Sequence, residues 1–102
     1  MSLIKRYLRK KLVCKVTFRL PRKATESSKN VHVVGDFNGW DSHSIPMKRL
    51  KNGGFTATVD LDPSKEYQFR YLKDGQSWEN DWDADKYVPS PYGDCDNSVV
   101  VV

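Results

Sequence analysis

The sequence predicts an all-β protein, an antiparallel immunoglobulin-like β-sandwich of about seven strands. Apolar and polar residues alternate over several short segments, which is typical of half-buried strands. Turn-forming residues separate those segments, as at Asn52-Gly53-Gly54 and Asp74-Gly75. No helical pattern alternates with the strands, as a parallel sheet would require. The 102 residues fit one domain of immunoglobulin size.

The first two segments differ in their hydrophobic period. In residues 2 to 12, apolar side chains recur near helical spacing, so the pattern allows a short amphipathic helix. In the next segment the apolar residues fall at every second position: Cys14, Val16, Phe18 and Leu20. This alternation predicts a strand with one wet face, which Pro21 ends. The polar residues 22 to 30 are predicted to form a loop.

Six further strands are predicted, over residues 31 to 35, 47 to 50, 55 to 61, 67 to 72, 76 to 78 and 98 to 102. The last of them is rich in β-branched residues and is predicted to be buried on both faces or in an assembly. Residues 79 to 97 are predicted to form a long irregular loop, and loops of this length are often functional.

Charge is distributed unevenly along the chain. The net charge is +4, yet residues 1 to 23 carry nine basic groups and no acid, while residues 79 to 96 carry six acids and one lysine. We predict a basic arm over residues 1 to 12 and a sandwich domain over residues 13 to 102. A basic arm attracts nucleic acid or an anionic surface, but such ends are more often simply solvated, so nucleic acid is not the expected partner.

Several functional classes are disfavoured by the composition. No apolar run approaches membrane-spanning length, and the N-terminus lacks the apolar region of a secretory signal. A cytoplasmic location is therefore expected, with Cys14 and Cys95 as free thiols; the alternative is that they pair. Neither cysteine has metal-ligand spacing, so no metal or other cofactor is expected.

No residues in the sequence suggest catalysis. The two histidines, His32 and His43, have no nucleophile–base arrangement around them. The acids at 81, 83 and 85 resemble a calcium loop but lack the glycine and the later glutamate that such a loop requires. A glycosidase needs two carboxylates facing each other in a cleft, and no candidate pair is present. The chain is therefore not expected to be an enzyme.

The segment Val33-Val34-Gly35-Asp36-Phe37-Asn38-Gly39-Trp40-Asp41 predicts a constrained loop at the end of a strand. Its glycines permit positive φ or close approach of the backbone. We predict that Phe37 is packed inward and Trp40 is presented at the surface; the alternative is that both rings are core.

Aromatic residues in or beside loops favour a carbohydrate-binding surface. Sugars present flat apolar C–H faces ringed by hydroxyls, which suit exposed aromatic rings beside planar amides, carboxylates or cations. The candidate platforms are Trp40, Trp78, Trp82, Tyr87 and Tyr92. If Phe69 is core, the strand alternation turns Arg70 outward together with Gln68. The alternative for each tryptophan is core packing.

The segment Gly35-Asp36-Phe37-Asn38-Gly39-Trp40 resembles the Gly-x-Phe-Asn-x-Trp signature of carbohydrate-binding module family 48. That family includes the glycogen-binding domain of the AMP-activated protein kinase β subunit and the N-terminal early-set domains of isoamylases, pullulanases and branching enzymes. Further matches follow in order, at Tyr67-Gln68-Phe69-Arg70-Tyr71, Asp74-Gly75-Gln76, Trp78, Asp81, Tyr92-Gly93 and Asn97-Ser98-Val99-Val100. The resemblance runs from about residue 13 to the end.

The resemblance implies an early-set β-sandwich that binds α-1,4-linked glucan, such as glycogen, starch or maltooligosaccharide. Trp40 and Trp78 match the stacking tryptophans of the family. Arg70 stands where the kinase domains carry lysine. Asn97 or its neighbour Asp96 matches the terminal asparagine pair that hydrogen-bonds sugar hydroxyls in the family. Tyr92 takes the place of an apolar residue that can wedge against a glucan.

The sequence departs from the family pattern in two places. Asp94-Cys95-Asp96 puts acids and a thiol where small or neutral residues are usual, and Ser77 is an extra residue that can rotate Trp78 away from the platform. The family is usually fused to an enzyme or a kinase-subunit tail, so three alternatives follow for this domain: it acts alone, it oligomerises, or it docks on a glucan-metabolising enzyme in trans. The alternative function is a protein-interaction module on the same scaffold, with its rings buried or splayed.

Overall fold

The computed structural model describes residues 3–25, 28–90 and 96–102. Within these residues the chain forms nine strands, one short α-helix (α1, Arg22–Thr25) and one 3₁₀ turn (Asp36–Asn38). The strands are β1 (Leu3–Leu8), β2 (Val13–Leu20), β3 (Val31–Gly35), β4 (Lys48–Arg49), β5 (Phe55–Leu61), β6 (Glu66–Lys73), β7 (Ser77–Glu79), β8 (Lys86–Pro89) and β9 (Asp96–Val101). No helix among the described residues is both long enough and apolar enough to cross a membrane.

The strands form two antiparallel sheets. The four-stranded sheet has the order β1-β2-β5-β4, and the five-stranded sheet has the order β3-β6-β9-β8, with β7 pairing beside β6. The predicted all-β antiparallel sandwich is confirmed. The alternation in β2 buries the four predicted side chains at 14, 16, 18 and 20 and leaves those between them more accessible.

Aromatic rings from both sheets fill the core between them. The ring centroids of Phe18 and Phe69 lie 4.9 Å apart, and those of Phe69 and Tyr71 lie 5.6 Å apart, both pairs edge to face. This geometry is favourable for aromatic quadrupoles. Because Phe69 and Tyr71 are fully buried, the residues between and beside them on β6 face away from the core. The outer face of β6 is therefore available for a site.

Strand β9 is the interior strand that its composition predicted. It pairs with β6 on one side and β8 on the other, and its residues 97 to 100 are buried. Burial on both faces is confirmed for residues 98 to 100, whereas Val101 is 39% exposed.

Three segments differ from the prediction. Residues 22 to 25, which were predicted to be part of a loop, form the helix α1. Residues 3–8 form β1 rather than a helix, since they pair with β2 from Leu3↔Phe18 to Leu8↔Val13. Lys5 of this strand forms a 2.6 Å salt bridge with Asp85, so part of the basic segment meets part of the acidic one. The predicted irregular loop over residues 79 to 97 contains β8, which pairs with β9. These two strands account for the difference between seven strands and nine.

A groove of aromatic residues on the five-stranded sheet

The loop after β3 is folded around the side chain of Asn38. Its Oδ1 accepts a hydrogen bond from the Gly35 N–H at 3.0 Å, and its Nδ2 donates to the Val33 carbonyl at 3.3 Å and to Ser44 Oγ at 3.0 Å. The Trp40 N–H donates to the Gly35 carbonyl at 2.9 Å. An amide that bonds both arms of a loop in this way fixes the loop geometry.

The loop separates its two aromatic residues as predicted. Phe37 packs against the core, with its ring centroid 5.4 Å from that of Phe18. Trp40 is 37% exposed, follows a left-handed Gly39 (φ 65°) and itself has φ 60°. The positive φ values turn the chain so that the indole lies over the sheet rather than inside it.

Asp36 fixes the orientation of the Trp40 ring. Its Oδ1 accepts a 2.8 Å hydrogen bond from Trp40 Nε1, and its Oδ2 accepts a 2.8 Å hydrogen bond from the Gln68 backbone N–H. A charged acceptor makes such bonds stronger than neutral ones. Both oxygens of Asp36 are therefore engaged in positioning the indole against β6. The sequence analysis treated Asp36 only as a turn former.

Arg70 and Gln68 project from the outer face of β6, as the alternation predicted. Gln68 Oε1 accepts a 2.9 Å hydrogen bond from Asn97 Nδ2, which orients Asn97, itself only 5% exposed. Nε and Nη2 of Arg70 are both buried, and neither has a hydrogen-bond partner in the described part of the chain. Buried donors without an acceptor are costly and rare. The edge of the Arg70 guanidinium formed by Nε and Nη2 is therefore a candidate to donate hydrogen bonds to a ligand.

Trp78 reaches the same face from the β6–β7 hairpin. It pairs with Leu72 and is 48% exposed. Asp74 at the turn accepts hydrogen bonds from the backbone N–H groups of residues 29 and 30 at 2.8 and 3.0 Å. These backbone bonds lower the pKa of the Asp74 carboxyl from its usual value. The hairpin that carries Trp78 is thus tied to the chain leading into β3.

These side chains line one groove of about 750 Å³ on the outer face of the five-stranded sheet. We call it the aromatic groove; it is lined by Asp36, Gly39, Trp40, Gln68, Arg70, Trp78, Pro89, Ser90 and Asn97. The extra residue before Trp78 has not rotated that ring out of the groove. A concave surface that combines exposed aromatic rings with converging polar side chains is a usual form of ligand site.

The predicted site residues separate into three groups. Trp40, Arg70, Trp78 and Asn97 come together in the aromatic groove. Asp96 is exposed and is not among the groove-lining residues; its backbone carbonyl accepts a 2.7 Å hydrogen bond from Asn80 Nδ2. Tyr92 lies outside the described residues, as does Cys95, so the role of the first and the pairing of the second stay predictions.

The sequence analysis did not identify Pro89 and Ser90 as groove residues. They belong to and follow β8, which was taken for irregular chain. The alternation of Lys86-Tyr87-Val88-Pro89 is too short to predict a strand by itself. These residues form a strand because they pair with β9.

The carboxylates of Asp81 and Asp85 serve structural roles. Asp81 is 1% exposed; its Oδ2 accepts a 2.6 Å hydrogen bond from the Tyr71 hydroxyl and its Oδ1 accepts one from the Asp83 N–H. Burial, reinforced by the Asp81 carboxylate, raises the pKa of Tyr71 well above its usual value, so Tyr71 stays a donor. Asp85 bonds Lys5 and the Val101 N–H. No group of three or more potential metal ligands occurs among the residues that the structure describes.

Comparison with known proteins identifies the family of this chain. The family described as "Carbohydrate-binding module 48 (Isoamylase N-terminal domain)" matches residues 24–93 of this chain. The chain is also 36% identical over 59 residues to a 1,4-alpha-glucan branching enzyme, GlgB, of Butyrivibrio fibrisolvens. That match covers 58% of this chain and 9% of the enzyme, so the chain corresponds to a small part of the relative. Since the family match spans well over half of the sequence, the chain belongs to the carbohydrate-binding module 48 family.

Proposed function

We propose that this chain binds α-1,4-linked glucan, without catalysis, by stacking glucose rings on Trp40 and Trp78 in the aromatic groove. The observation that carries the proposal is the convergence of two exposed indoles, from different loops, beside a guanidinium whose Nε and Nη2 have no hydrogen-bond partner in the described part of the chain. Family membership supports carbohydrate as the ligand class. The name of the relative, a 1,4-alpha-glucan branching enzyme, supports α-glucan within that class.

Stacking and hydrogen bonding divide between two kinds of groove residue. The indoles offer flat apolar faces to the C–H faces of consecutive glucose units. Nε and Nη2 of Arg70 form a two-donor fork suited to a pair of adjacent hydroxyl oxygens, if the guanidinium moves slightly to admit them. Asn97 already donates to Gln68, so its carbonyl oxygen is the atom left to accept a hydroxyl. Asp36 contributes indirectly because it holds the Trp40 ring before the ligand arrives.

Preorganisation makes this arrangement suitable for a neutral ligand such as glucan, which offers no charge for strong electrostatic attraction. The Trp40 loop is bonded through Asn38 and Asp36, and the Trp78 hairpin is tied through Asp74. Little conformational entropy is then lost when glucan binds. Docking on a glucan-metabolising enzyme in trans and a cytoplasmic location both stay predictions from the sequence.

The alternative, a protein-interaction module that has lost the sugar site, receives less support. It predicts tryptophan rings that are buried or splayed, or an exposed edge at the last strand. Trp40 and Trp78 are instead both exposed in one groove, and β9 is an interior strand.

The proposal is tested by titrating tryptophan fluorescence with maltoheptaose, and in parallel with cellohexaose, a β-1,4 glucan of different helical shape. We expect saturable quenching with maltoheptaose and little change with cellohexaose, because a groove of fixed ring positions selects chain curvature. Circular dichroism confirms that the protein is folded. A flat maltoheptaose titration by folded protein would overturn the proposal.

Arg70→Met provides a test that separates binding from folding. We expect an affinity for maltoheptaose lower by about tenfold, since a hydrogen bond to a charged group contributes about 1.5–3 kcal/mol and methionine supplies none. We expect the free energy of unfolding to be unchanged or higher, because no hydrogen bond of Nε or Nη2 within the described chain is lost. Isothermal titration calorimetry and urea unfolding measure the two quantities. A variant that loses stability but keeps its affinity would contradict the ligand role of Arg70.

A further inference from the structure

Two exposed aromatic residues lie outside the aromatic groove. Trp82 is 53% exposed and Tyr87 is 45% exposed, and neither lines the groove. The sequence analysis identified both as candidate platforms, and the proposed function uses neither. We call them the Trp82–Tyr87 patch.

Both residues are attached to the same buried anchor, Asp81. Trp82 follows Asp81 directly, and the Tyr87 hydroxyl donates a 2.6 Å hydrogen bond to the Asp81 carbonyl while accepting one from the Ala84 N–H at 3.2 Å. The Asp81 N–H donates in turn to Ser98 Oγ at 2.9 Å. The segment from 81 to 87 is therefore a closed, hydrogen-bonded loop fixed to β9, and it presents its two rings outward.

The Trp82 indole has its own restraint. Its Nε1 donates to Glu79 Oε1 at 3.3 Å, and Glu79 Oε2 accepts a hydrogen bond from Lys73 Nζ at 3.3 Å. Lys73 Nζ also donates to the Ala24 carbonyl at 3.1 Å. A large exposed ring with a fixed polar edge resembles Trp40, whose Nε1 is held by Asp36 in the same way. In both cases a carboxylate positions an exposed indole.

Strand register places Tyr87, and Glu79 to which the Trp82 indole is bonded, on the side of the five-stranded sheet opposite the groove residues. Tyr87 pairs with Ser98, and Ser98 pairs with the core residue Phe69. Residues directly opposite in neighbouring strands share a face, so Tyr87 is on the inward side, at the β8 edge of the sheet. Glu79, the partner of the Trp82 indole, pairs with the buried Tyr71 and shares that side. The groove residues Arg70 and Asn97 occupy the other face.

The surroundings of the patch suit a neutral polyhydroxylated ligand. Asp83 is exposed beside Trp82, and Glu79 is partly exposed at the indole edge. Carboxylates accept hydrogen bonds from hydroxyls, while the rings receive apolar C–H faces. The chemical class that matches flat rings with adjacent acceptors is sugar.

We propose that the Trp82–Tyr87 patch is a second glucan-binding site. It binds either a different glucan molecule from the one in the aromatic groove or a distant part of the same glucan molecule. The second site rests on the proposed function only for the identity of its ligand. Its residues are independent, because the patch shares no residue with the groove. Two separate sites raise the affinity for a branched polymer by avidity without altering the affinity for a short oligosaccharide at either site.

The test uses the three indole N–H signals of the three tryptophans in a ¹H–¹⁵N correlation spectrum, each assigned with its own Trp→Phe variant. Maltoheptaose is titrated into the wild-type chain and into Trp40→Ala. We expect the Trp82 signal to shift saturably in both proteins. If it shifts only when Trp40 is present, it reports the groove and the second site is refuted. A Trp82 signal that stays fixed while the Trp40 signal shifts overturns the second site alone; if all three signals stay fixed, the proposed function fails as well.

Retention on glycogen gives an independent readout. We expect Trp82→Ala to weaken retention in affinity electrophoresis by about tenfold, with no change in the maltoheptaose affinity reported by the Trp40 signal. Leu12→Ala removes another exposed apolar side chain, 76% exposed, and serves as the matched control. Equal retention of the Trp82→Ala and Leu12→Ala variants would overturn the second site. Trp82→Phe keeps a ring and is expected to retain most of the binding.

Discussion

Replacing Trp40 with alanine is expected to weaken maltoheptaose binding in the aromatic groove by about 30-fold or more. Truncating a central aromatic anchor typically costs about 2 kcal/mol or more, and each 1.4 kcal/mol is a factor of ten. The Trp78 indole signal reports occupancy of the groove and is followed through the titration. The free energy of unfolding is expected to fall by only about 1 kcal/mol, because the ring lies outside the core and Asp36 keeps its bond to the Gln68 N–H.

Trp40→Phe is the matched control for the role of the ring. Phenylalanine keeps a flat face but cannot donate to Asp36, so we expect an affinity between those of the wild type and Trp40→Ala. The difference between Trp40→Phe and Trp40→Ala measures the contribution of stacking. The difference between the wild type and Trp40→Phe measures what the indole and its bond to Asp36 add. If all three proteins bind maltoheptaose equally at the groove, Trp40 is not a platform.

Replacing Gly35 with alanine is expected to destabilise the protein by about 3 kcal/mol or more. A Cβ at this position would lie 2.4 Å from the Gln68 carbonyl oxygen and 2.7 Å from the Phe69 Cβ. Both atoms belong to β6, the central strand of the five-stranded sheet, so the backbone itself has to move. Overpacking against backbone lies at the upper end of core substitution costs. Thermal unfolding followed by circular dichroism should show a Tm lower by about 12 °C or more.

Gly75→Ala is the matched control for this substitution. Gly75 has φ +68°, and a Cβ there would meet nothing within 4 Å. Its expected cost is only the left-handed backbone strain of an L-residue, about 1 kcal/mol. If Gly35→Ala is no more destabilising than Gly75→Ala, the close approach of β3 to β6 is not what requires glycine at position 35. Maltoheptaose binding by folded Gly35→Ala should also fall, because the shifted loop carries Trp40.

The local patterns of the sequence determined the strands whose side chains alternate and the loop between β3 and β4. Period-two alternation predicted β2, β5 and β6, and with β6 the outward position of Arg70. Such patterns are reliable because one face of each strand must be buried. The spacing of glycine, asparagine and aromatic residues in 33 to 41 likewise predicted an inward Phe37 and an exposed Trp40, since the backbone preferences of a turn are local.

Only the tertiary structure decided which of these elements meet. Residues 3–8 satisfy helical spacing, yet β2 offered an unpaired edge, and the pairing made them a strand. The same spacing of apolar residues therefore fits both a helix and a strand, and long-range hydrogen bonds to β2 select the strand. Asp36 bonds residues 4 and 32 positions away, so its role in orienting Trp40 is absent from any local pattern. The placement of Trp78 in the groove and of Tyr87 on the opposite side of the sheet follows from strand register, which is set by pairing across the sheet rather than by the residues themselves.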